Sequence, residues 1–549
     1  LDEGSLSIFK GYHQSKGRLM LYITVSLLVK GLLLMIPYLT KQLIDDIQYQ
    51  QLGGFKSTTL LLIGTMIVFS CVLSLKYYLQ QLIEIRVLNQ MKQSMLVKLF
   101  NGKNDQFIST TTGEIIQKIF NDTETIRPLI VSAWVDVLID GGYVVALIFI
   151  MFRMNVILTL LLLVLIPIFL FLYKIYAPRI EKTSHALIQE DEQLKSMAEE
   201  LMAGRLDIKV NRAQSFMEHR IHHGLNQYFK QSLQKTKNVM QYDYFYVTGV
   251  MNLATLLIYC FGGYLVFNHQ ISMGTLISFN LYFSKVWSPI ETFMELTKEM
   301  KVWNVSFERV KNFLLLEEEP DSSSTQLPTY TDLVINDLTF SYEHRTLFNH
   351  LNLELKKGEK VGIKGGNGAG KSTLASFLIK LRDGYDGNLH YSGVDYTALD
   401  ARTIREHVIY LPPKSFLFSG TVLENITLTT DPSSEKLDAF FALEEVQSLL
   451  NVLKDNQRDL NTTVQPETPL LSSGEQKIIQ LLRGMYLDGE VYILDEPLNY
   501  VDGKYKQLII ECIRTYLKDK SVIIISHDEE IFACCDRVYR LDKQLILEP

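Results

Sequence analysis

The sequence predicts a multi-domain chain: an all-α six-helix transmembrane domain with long cytoplasmic helical hairpins, then an α/β P-loop nucleotide-binding domain. Three observations carry this. Six apolar stretches fill the first part of the chain, each close to the roughly 20 residues a helix needs to cross a bilayer. A glycine-rich loop, Gly365–Thr373, sits between a strand-like run and a helix-like run. Beyond residue 333, β-type and helical patterns alternate, the order of an α/β domain. Composition agrees. The 549 residues exceed one ordinary domain, and 47% hydrophobic is high for a soluble protein. A net charge of -7 gives no reason to expect a nucleic-acid partner.

The expected domains are 1–313 for the membrane part, 314–332 for a linker and 333–549 for the nucleotide-binding part. The expected spans are about 18–39, 58–81, 132–152, 156–177, 245–268 and 275–298. Connections after the first, third and fifth are short. Those after the second and fourth are long, polar and helical in pattern, and both are rich in Lys and Arg, which puts them on the cytoplasmic side. They read as two helical hairpins whose tips, near Asp105–Thr112 and Asp207–Met217, are docking points for the nucleotide-binding part. Glu317-Glu318-Glu319-Pro320-Asp321 and the serines after it have a linker's composition.

Ionisable residues inside spans are costly, so each is a functional candidate. Lys30 sits mid-span. Asp136 and Asp140 share one helix face, four residues apart, and Glu291 and Glu295 do the same on the last span. The two readings are a water-filled cavity lining and mutual pairing. For Lys76 and Glu299, pairing or snorkelling to a span end is the expectation.

The strand Lys360–Lys364 runs into Gly365, Gly366, Asn367, Gly368, Ala369 and Gly370, and a helix follows. Glycines let the backbone curl round a polyphosphate with its N–H groups inward, and the helix N-terminus adds its positive end. Lys371 would reach the terminal phosphates, Ser372 would hold Mg²⁺, and Thr373 follows it in the loop. Val491–Glu496 reads as a buried strand ending in two carboxylates. Asp495 at its end suits Mg²⁺, and Glu496 is placed to polarise an attacking water. A second buried strand, Ser521–Asp528, ends in a histidine, His527, at the same carboxyl edge. The five cysteines form no metal-type pair and read as free thiols.

With these residues in place, the chain resembles an ABC (ATP-binding cassette) exporter half-transporter over nearly its whole length. Tyr342 matches the aromatic that stacks on adenine, Asp495 the Walker B aspartate, Glu496 the catalytic glutamate and His527 the switch histidine. Leu498–Asp502 matches the D-loop, ending in Asp502, and Leu471-Ser472-Ser473-Gly474-Glu475 matches the signature loop. Thr112-Gly113-Glu114 with Asn121-Asp122 is similar to the family's first intracellular loop, and Ile271–Leu276 to its approach to helix six. The resemblance implies ATP with Mg²⁺, Lys371, Glu496 and His527 as catalytic residues, and a composite site in which Ser472 and Gly474 of a second chain close over the phosphates. It therefore implies two chains, most simply a C2 homodimer, with a heterodimer as the other option.

Three departures stand out. Pro413 occupies the place of a glutamine that contacts Mg²⁺, and proline has neither a side-chain oxygen nor an N–H. Ser473 replaces a glycine of the signature, and Glu475 replaces a glutamine. Slow or tightly substrate-gated hydrolysis is the expectation. The resemblance implies an ATP-driven exporter of a peptide or amphiphile, multi-pass in a membrane, with a bacterial plasma membrane expected and the ATP-binding part cytoplasmic. A flippase for lipids or lipid-linked sugars is the alternative, and an ATP-gated regulator or channel a further one.

Overall fold

A computed structural model describes residues 3–108, 110–319, 327–342, 345–429, 431–465 and 471–548. Within these, the side chains of residues 3–15 and of a few helical positions, Glu291 and Glu295 among them, lie outside the described residues. The chain divides into two compact units. One holds Leu1–Val97 and Gly113–Leu315, the other Lys98–Thr112 and Leu316–Pro549. The tip of the first hairpin thus groups with the C-terminal unit.

The first unit is helical. Its main elements are α1 (Glu3–Gln48), α2 (Leu52–Asn101), α3 (Ser132–Met154), α4 (Val156–Leu163), α5 (Leu165–Ala203), α6 (Gln214–Met240), α7 (Thr248–Phe267) and α8 (Met273–Leu314). Among the described residues four helices are long and apolar enough to cross a membrane: Lys16–Gln48, Leu52–Asn101, Ala133–Met154 and Gln214–Phe267. The expected spans 156–177 and 275–298 fall on α4–α5 and α8. Large apolar side chains such as Leu60, Leu138, Val145 and Phe267 point outward, as lipid-facing residues do. Inside, small residues let helices approach: a Cβ on Gly262 would overlap Leu276. Tyr143, Leu147, Leu158, Ile258, Phe279 and Tyr282 fill that core.

The start of α8 is fixed by polar groups. The Ser272 hydroxyl accepts from Thr275 N at 3.1 Å, Asp45 accepts from Gly274 N at 3.1 Å, and Gln48 accepts from Met273 N at 3.3 Å. Three amides that a helix start leaves open are thereby satisfied. The long second hairpin is α5 packed on α6, and near its tip Met202, Leu206, Val210 and Phe216 are exposed.

The second unit is α/β. Its strands are β1 (Asp332–Tyr342), β2 (Arg345–Lys356), β3 (Lys360–Lys364), β4 (Asp386–Tyr391), β5 (Val394–Asp395), β6 (Val408–Leu411), β7 (Gly420–Thr421), β8 (Thr463–Val464), β9 (Val491–Asp495), β10 (Ser521–Ile525), β11 (Arg537–Asp542) and β12 (Gln544–Leu547). The central sheet runs β12-β11-β3-β10-β9-β6, and β3, β9 and β10 are parallel. An antiparallel sheet, β2-β1-β4-β5, lies apart from it in hydrogen bonding, and β7 pairs with β8. Strands β9 and β10 are buried throughout, which is why they read as unbroken apolar runs. Their shared carboxyl edge brings Asp495 to the loop after β3, 123 positions from Ser372.

The acidic run after α8 is not a bare tether. Lys103 N donates to Glu317 O at 3.1 Å and Glu319 N to Asn101 O at 2.7 Å, so the run pairs with the first hairpin's tip. Lys103 and Lys98 meet Glu317 and Glu318 at 2.6 and 2.9 Å, and Arg405 holds Glu319 with two bonds of 2.8 and 2.7 Å. A linker's composition here encodes a charged seam, because each carboxylate has a cation opposite it. The expected docking of the first tip is seen inside this unit; the second tip belongs to the other unit.

Candidate nucleotide site and membrane ion pairs

The loop after β3 curls because two glycines take left-handed backbones, Gly368 at φ 77° and Gly370 at φ 102°. A Cβ on Gly370 would lie 2.7 Å from the Phe348 ring, so no other residue fits. Helix α9 (Lys371–Leu378) begins at the next residue, and α10 (Glu444–Asp455) follows later in the same unit. The loop, with Pro413, Asp495, Glu496, Asn499 and His527, lines a cleft of about 350 Å³. Glycine curvature, a helix N-terminus and a lysine at one cleft fit a polyphosphate.

Lys371 Nζ donates to Gly365 O at 2.6 Å and lies 3.0 Å from His527 Nε2. Ser372 Oγ donates to Asp495 Oδ2 at 2.9 Å. The Tyr410 hydroxyl donates to the same oxygen at 3.1 Å, and burial followed by the Asp495 charge raises its pKa. His527 Nε2 lies 3.4 Å from Glu496 Oε1, and His527 N donates to Glu496 Oε2 at 3.3 Å. Glu496 itself takes a left-handed backbone, φ 49°, held by its N–H bond to Ile525 O at 2.8 Å. Such a backbone is uncommon outside glycine and turns the carboxylate away from the sheet edge into the cleft. Ser372 and Asp495 offer two hard oxygens side by side, the small protein share that Mg²⁺ takes when phosphates and water supply the rest.

Tyr342 is on the same unit, with its hydroxyl 3.4 Å from Thr373 Oγ1. Ser472 and Gly474 do not line the phosphate cleft, and Asp502 stands at the N-terminal boundary of another helix, α12 (Gly503–Thr515). Ser472 is the N-cap of α11 (Ser473–Leu487). Its hydroxyl accepts from Glu475 N at 3.3 Å, and the Glu475 carboxylate accepts from Ser472 N at 2.6 Å. That reciprocal pair is a capping box, and it explains Glu475 physically. Ser473 Oγ donates to Tyr500 O at 2.7 Å, tying the signature loop to the D-loop segment. A Cβ on Gly474 would lie 2.8 Å from the Tyr505 ring.

Two groups near the cleft escape sequence reading. Tyr410 lies on β6, paired with Ile493 of β9, and only that register carries its hydroxyl to Asp495. Lys477 on α11 is buried. Its Nζ donates to Pro412 O at 2.9 Å and to Gln480 Oε1 at 3.1 Å, and Gln480 Nε2 donates to Pro412 O at 3.1 Å. Burial lowers its pKa to about 8, against the opposing pull of Asp495 and Glu496. Pro413 itself stands in the cleft wall, as the motif position requires.

In the membrane unit, Lys30 is ion-paired with Asp140, and Lys76 with Asp136 at 2.9 Å. Tyr22 donates its hydroxyl to Asp136 at 2.9 Å, while Lys30 lies 5.0 Å from the Tyr143 ring centroid. Lys30, Asp136 and Asp140 therefore do come together, joined by Lys76. They meet as two neutral pairs across α1, α2 and α3 instead of as free acidic charge. Pairing wins because a lone charge in the bilayer is costlier than a matched one. The expected stripe Glu291 and Glu295 lies outside the described side chains.

The comparisons with known proteins agree with this geometry. A family model described as the ABC transporter transmembrane region matches residues 19–290, and one described as ABC transporter matches 348–499. The lactococcin-A transport/processing ATP-binding protein LcnC of Lactococcus lactis is 26% identical over 89% of this chain and 69% of its own length. The transport/processing ATP-binding protein ComA of Streptococcus pneumoniae is 25% identical over 99% of this chain and 76% of its own. The putative multidrug export ATP-binding/permease protein YgaD of Bacillus subtilis is 23% identical over 99% and 96%. With apolar helices and a phosphate cleft joined in one polypeptide, and both halves matched in order, the chain belongs to the ABC transporters, membrane proteins that bind and hydrolyse ATP.

Proposed function

We propose that this chain is an ATP-driven exporter of peptides. The observation that carries it is the cleft in which Lys371, Ser372, Asp495, Glu496 and His527 converge, on a chain whose other half is membrane helices. The names of LcnC and ComA, transport and processing proteins, support a peptide cargo. Asp136 and Asp140 are each paired with a lysine, so they lend no support to a preference for cationic peptides.

In this reading Ser372 and Asp495 hold Mg²⁺, whose chemistry is to neutralise phosphate charge. Lys371 and the amides of Gly365–Thr373 bind and orient the phosphates. Glu496 accepts a proton from the attacking water, and His527, bonded to Glu496 and beside Lys371, keeps that carboxylate aimed. Tyr342 stacks on the base. Ser472 and Gly474 lie off this cleft, which supports a second chain supplying them, most simply another copy in a C2 dimer with Asp502 at the seam. Ser472 can cap α11 as an acceptor and still donate its proton to a phosphate. The membrane is a bacterial plasma membrane, with residues 333–549 on the cytoplasmic side.

Inside-out proteoliposomes loaded with the purified chain test this. ATP should drive uptake of a fluorescently labelled 20- to 30-residue peptide, and Glu496→Gln should abolish it while mant-ATP still binds. ATP-dependent movement of a fluorescent phospholipid with no peptide uptake would replace export by lipid flipping. Hydrolysis that survives Glu496→Gln would remove the catalytic assignment.

A further inference from the structure

The first hairpin's tip reaches the adenine-side aromatic through one arginine. Arg382 follows the phosphate-loop helix α9 by four residues. Its guanidinium lies 4.8 Å from the Tyr342 ring centroid and donates to the Tyr342 hydroxyl, and it sits 5.7 Å from the Phe340 ring centroid. On its other side, Nε meets Asp105 Oδ1 at 3.3 Å. The second oxygen of Asp105 accepts from Asp383 N at 3.2 Å, so the carboxylate is fixed by two adjacent residues of the same segment. The Arg382 side chain is 12% exposed, whereas Tyr342 is 43% exposed. A nearly buried cation thus backs a ring that keeps open surface. Thr373, at the end of the phosphate loop, touches the same hydroxyl.

We propose that Arg382 is a positioning residue that sets the Tyr342 ring for base stacking and links it to the hairpin through Asp105. This rests on the nucleotide reading of the cleft. The physical case is the shape of the group. A guanidinium is flat and carries donors in a fixed fork, so it lies against a ring and pairs a carboxylate at once; an ammonium serves only one. With the ring fixed from one side, a base stacking on its open surface meets a preorganised partner. Removal of Asp105 frees Arg382, and removal of Arg382 frees the ring. Both act on ATP binding, because neither residue touches the cleft where Asp495 and Glu496 sit.

The test uses the full-length chain in lipid nanodiscs. ATPase rates against ATP concentration give KM and kcat for wild type, Arg382→Gln, Arg382→Lys and Asp105→Asn, each also made in a Tyr342→Ala background. Arg382→Gln and Asp105→Asn should each raise KM by about fivefold, the scale of a partly desolvated cation–ring contact. Asp105→Asn should leave kcat near wild type. Arg382→Lys should recover only part of the loss, and in the Tyr342→Ala background neither substitution should raise KM further. A wild-type KM in Arg382→Gln, a fall confined to kcat, or full additivity on Tyr342→Ala would overturn the link. Lys371→Ala with mant-ATP separates the two readings. If that variant binds mant-ATP as wild type does, the cleft assignment falls and the link with it. If it loses binding while Arg382→Gln keeps its KM, only the link falls.

Discussion

Lys477 Nζ donates a 2.9 Å hydrogen bond to the carbonyl of Pro412, from a helix that begins in the signature loop to the segment where the family's glutamine is missing. Gln480 grips the same carbonyl. The chain thus anchors this loop by its backbone, from the side of α11, where it has lost a side chain. Burial sets the sign of the pH effect. Folded Lys477 has its pKa lowered to about 8 from 10.5, so between those values the unfolded chain holds a proton that the folded one has released. Stability therefore rises with pH across that window, and below it the full burial cost is present. The melting temperature of wild type relative to Lys477→Met should climb from about pH 8 to about pH 10. A difference that stays flat would show that Lys477 titrates normally.

Pro413→Gln restores an oxygen to the cleft wall. Because Pro412 is held by Lys477 and Gln480, the loop keeps its anchor when the proline ring goes. Hydrolysis at saturating Mg-ATP should rise by about a hundredfold, the low end for one well-placed polar group at a charged transition state. A fall in rate with an unchanged melting temperature would mean that Pro413 shapes the cleft in a way the glutamine cannot.

The signature loop makes a sharper distinction. Ser472→Ala removes the acceptor for Glu475 N and should cost about 1 kcal/mol, the usual loss for a helix cap. Glu475→Gln keeps the reciprocal box, since a glutamine amide oxygen accepts from Ser472 N as the carboxylate does. Denaturant midpoints should therefore drop for the first variant and stay near wild type for the second. Equal losses would locate the stabilising part of Glu475 in its bond from Asn456 Nδ2.

Much of this was legible in the sequence, for physical reasons that differ by residue. Lys371, Ser372, Asp495 and Glu496 are read from local order, because a strand, a tight turn and a helix fix their side chains within a few residues. His527 follows from the parallel pairing of β10 with β9. Tyr410, Lys477 and Arg382 are not local facts. Tyr410 needs the β6–β9 register, Lys477 needs the packing of α11 under the Pro412 turn, and Arg382 needs a hairpin 277 positions upstream, the separation from Asp105. The pairing of the acidic run 317–319 was not legible for a related reason. Composition reports how polar a segment is, whereas the cations that order it come from Lys98, Lys103 and Arg405 elsewhere in the chain. The charges on α3 carry the same lesson: Asp136 and Asp140 share a face by spacing, but their partners sit on α2 and α1.

Those pairs give the last prediction. Lys76 and Asp136 lie on apolar helices with 16% and 24% of their side chains exposed, and Tyr22 also leans on Asp136. Asp136→Asn keeps the shape but leaves the Lys76 ammonium without its counter-ion. Breaking one partner of a fully buried pair costs about 3–5 kcal/mol, because the survivor is an uncompensated charge, and this part-exposed pair should lose less than that. Replacing both by apolar groups of similar size is close to neutral. Asp136→Asn should therefore lower the yield and melting temperature of the detergent-purified protein, and adding Lys76→Met should recover most of the loss. The same rule applies to Asp140→Asn with Lys30→Met. The double variants then carry the functional question: peptide transport that survives in them assigns these pairs to holding α1, α2 and α3 together, and transport lost from a protein of normal stability assigns them to the cargo path.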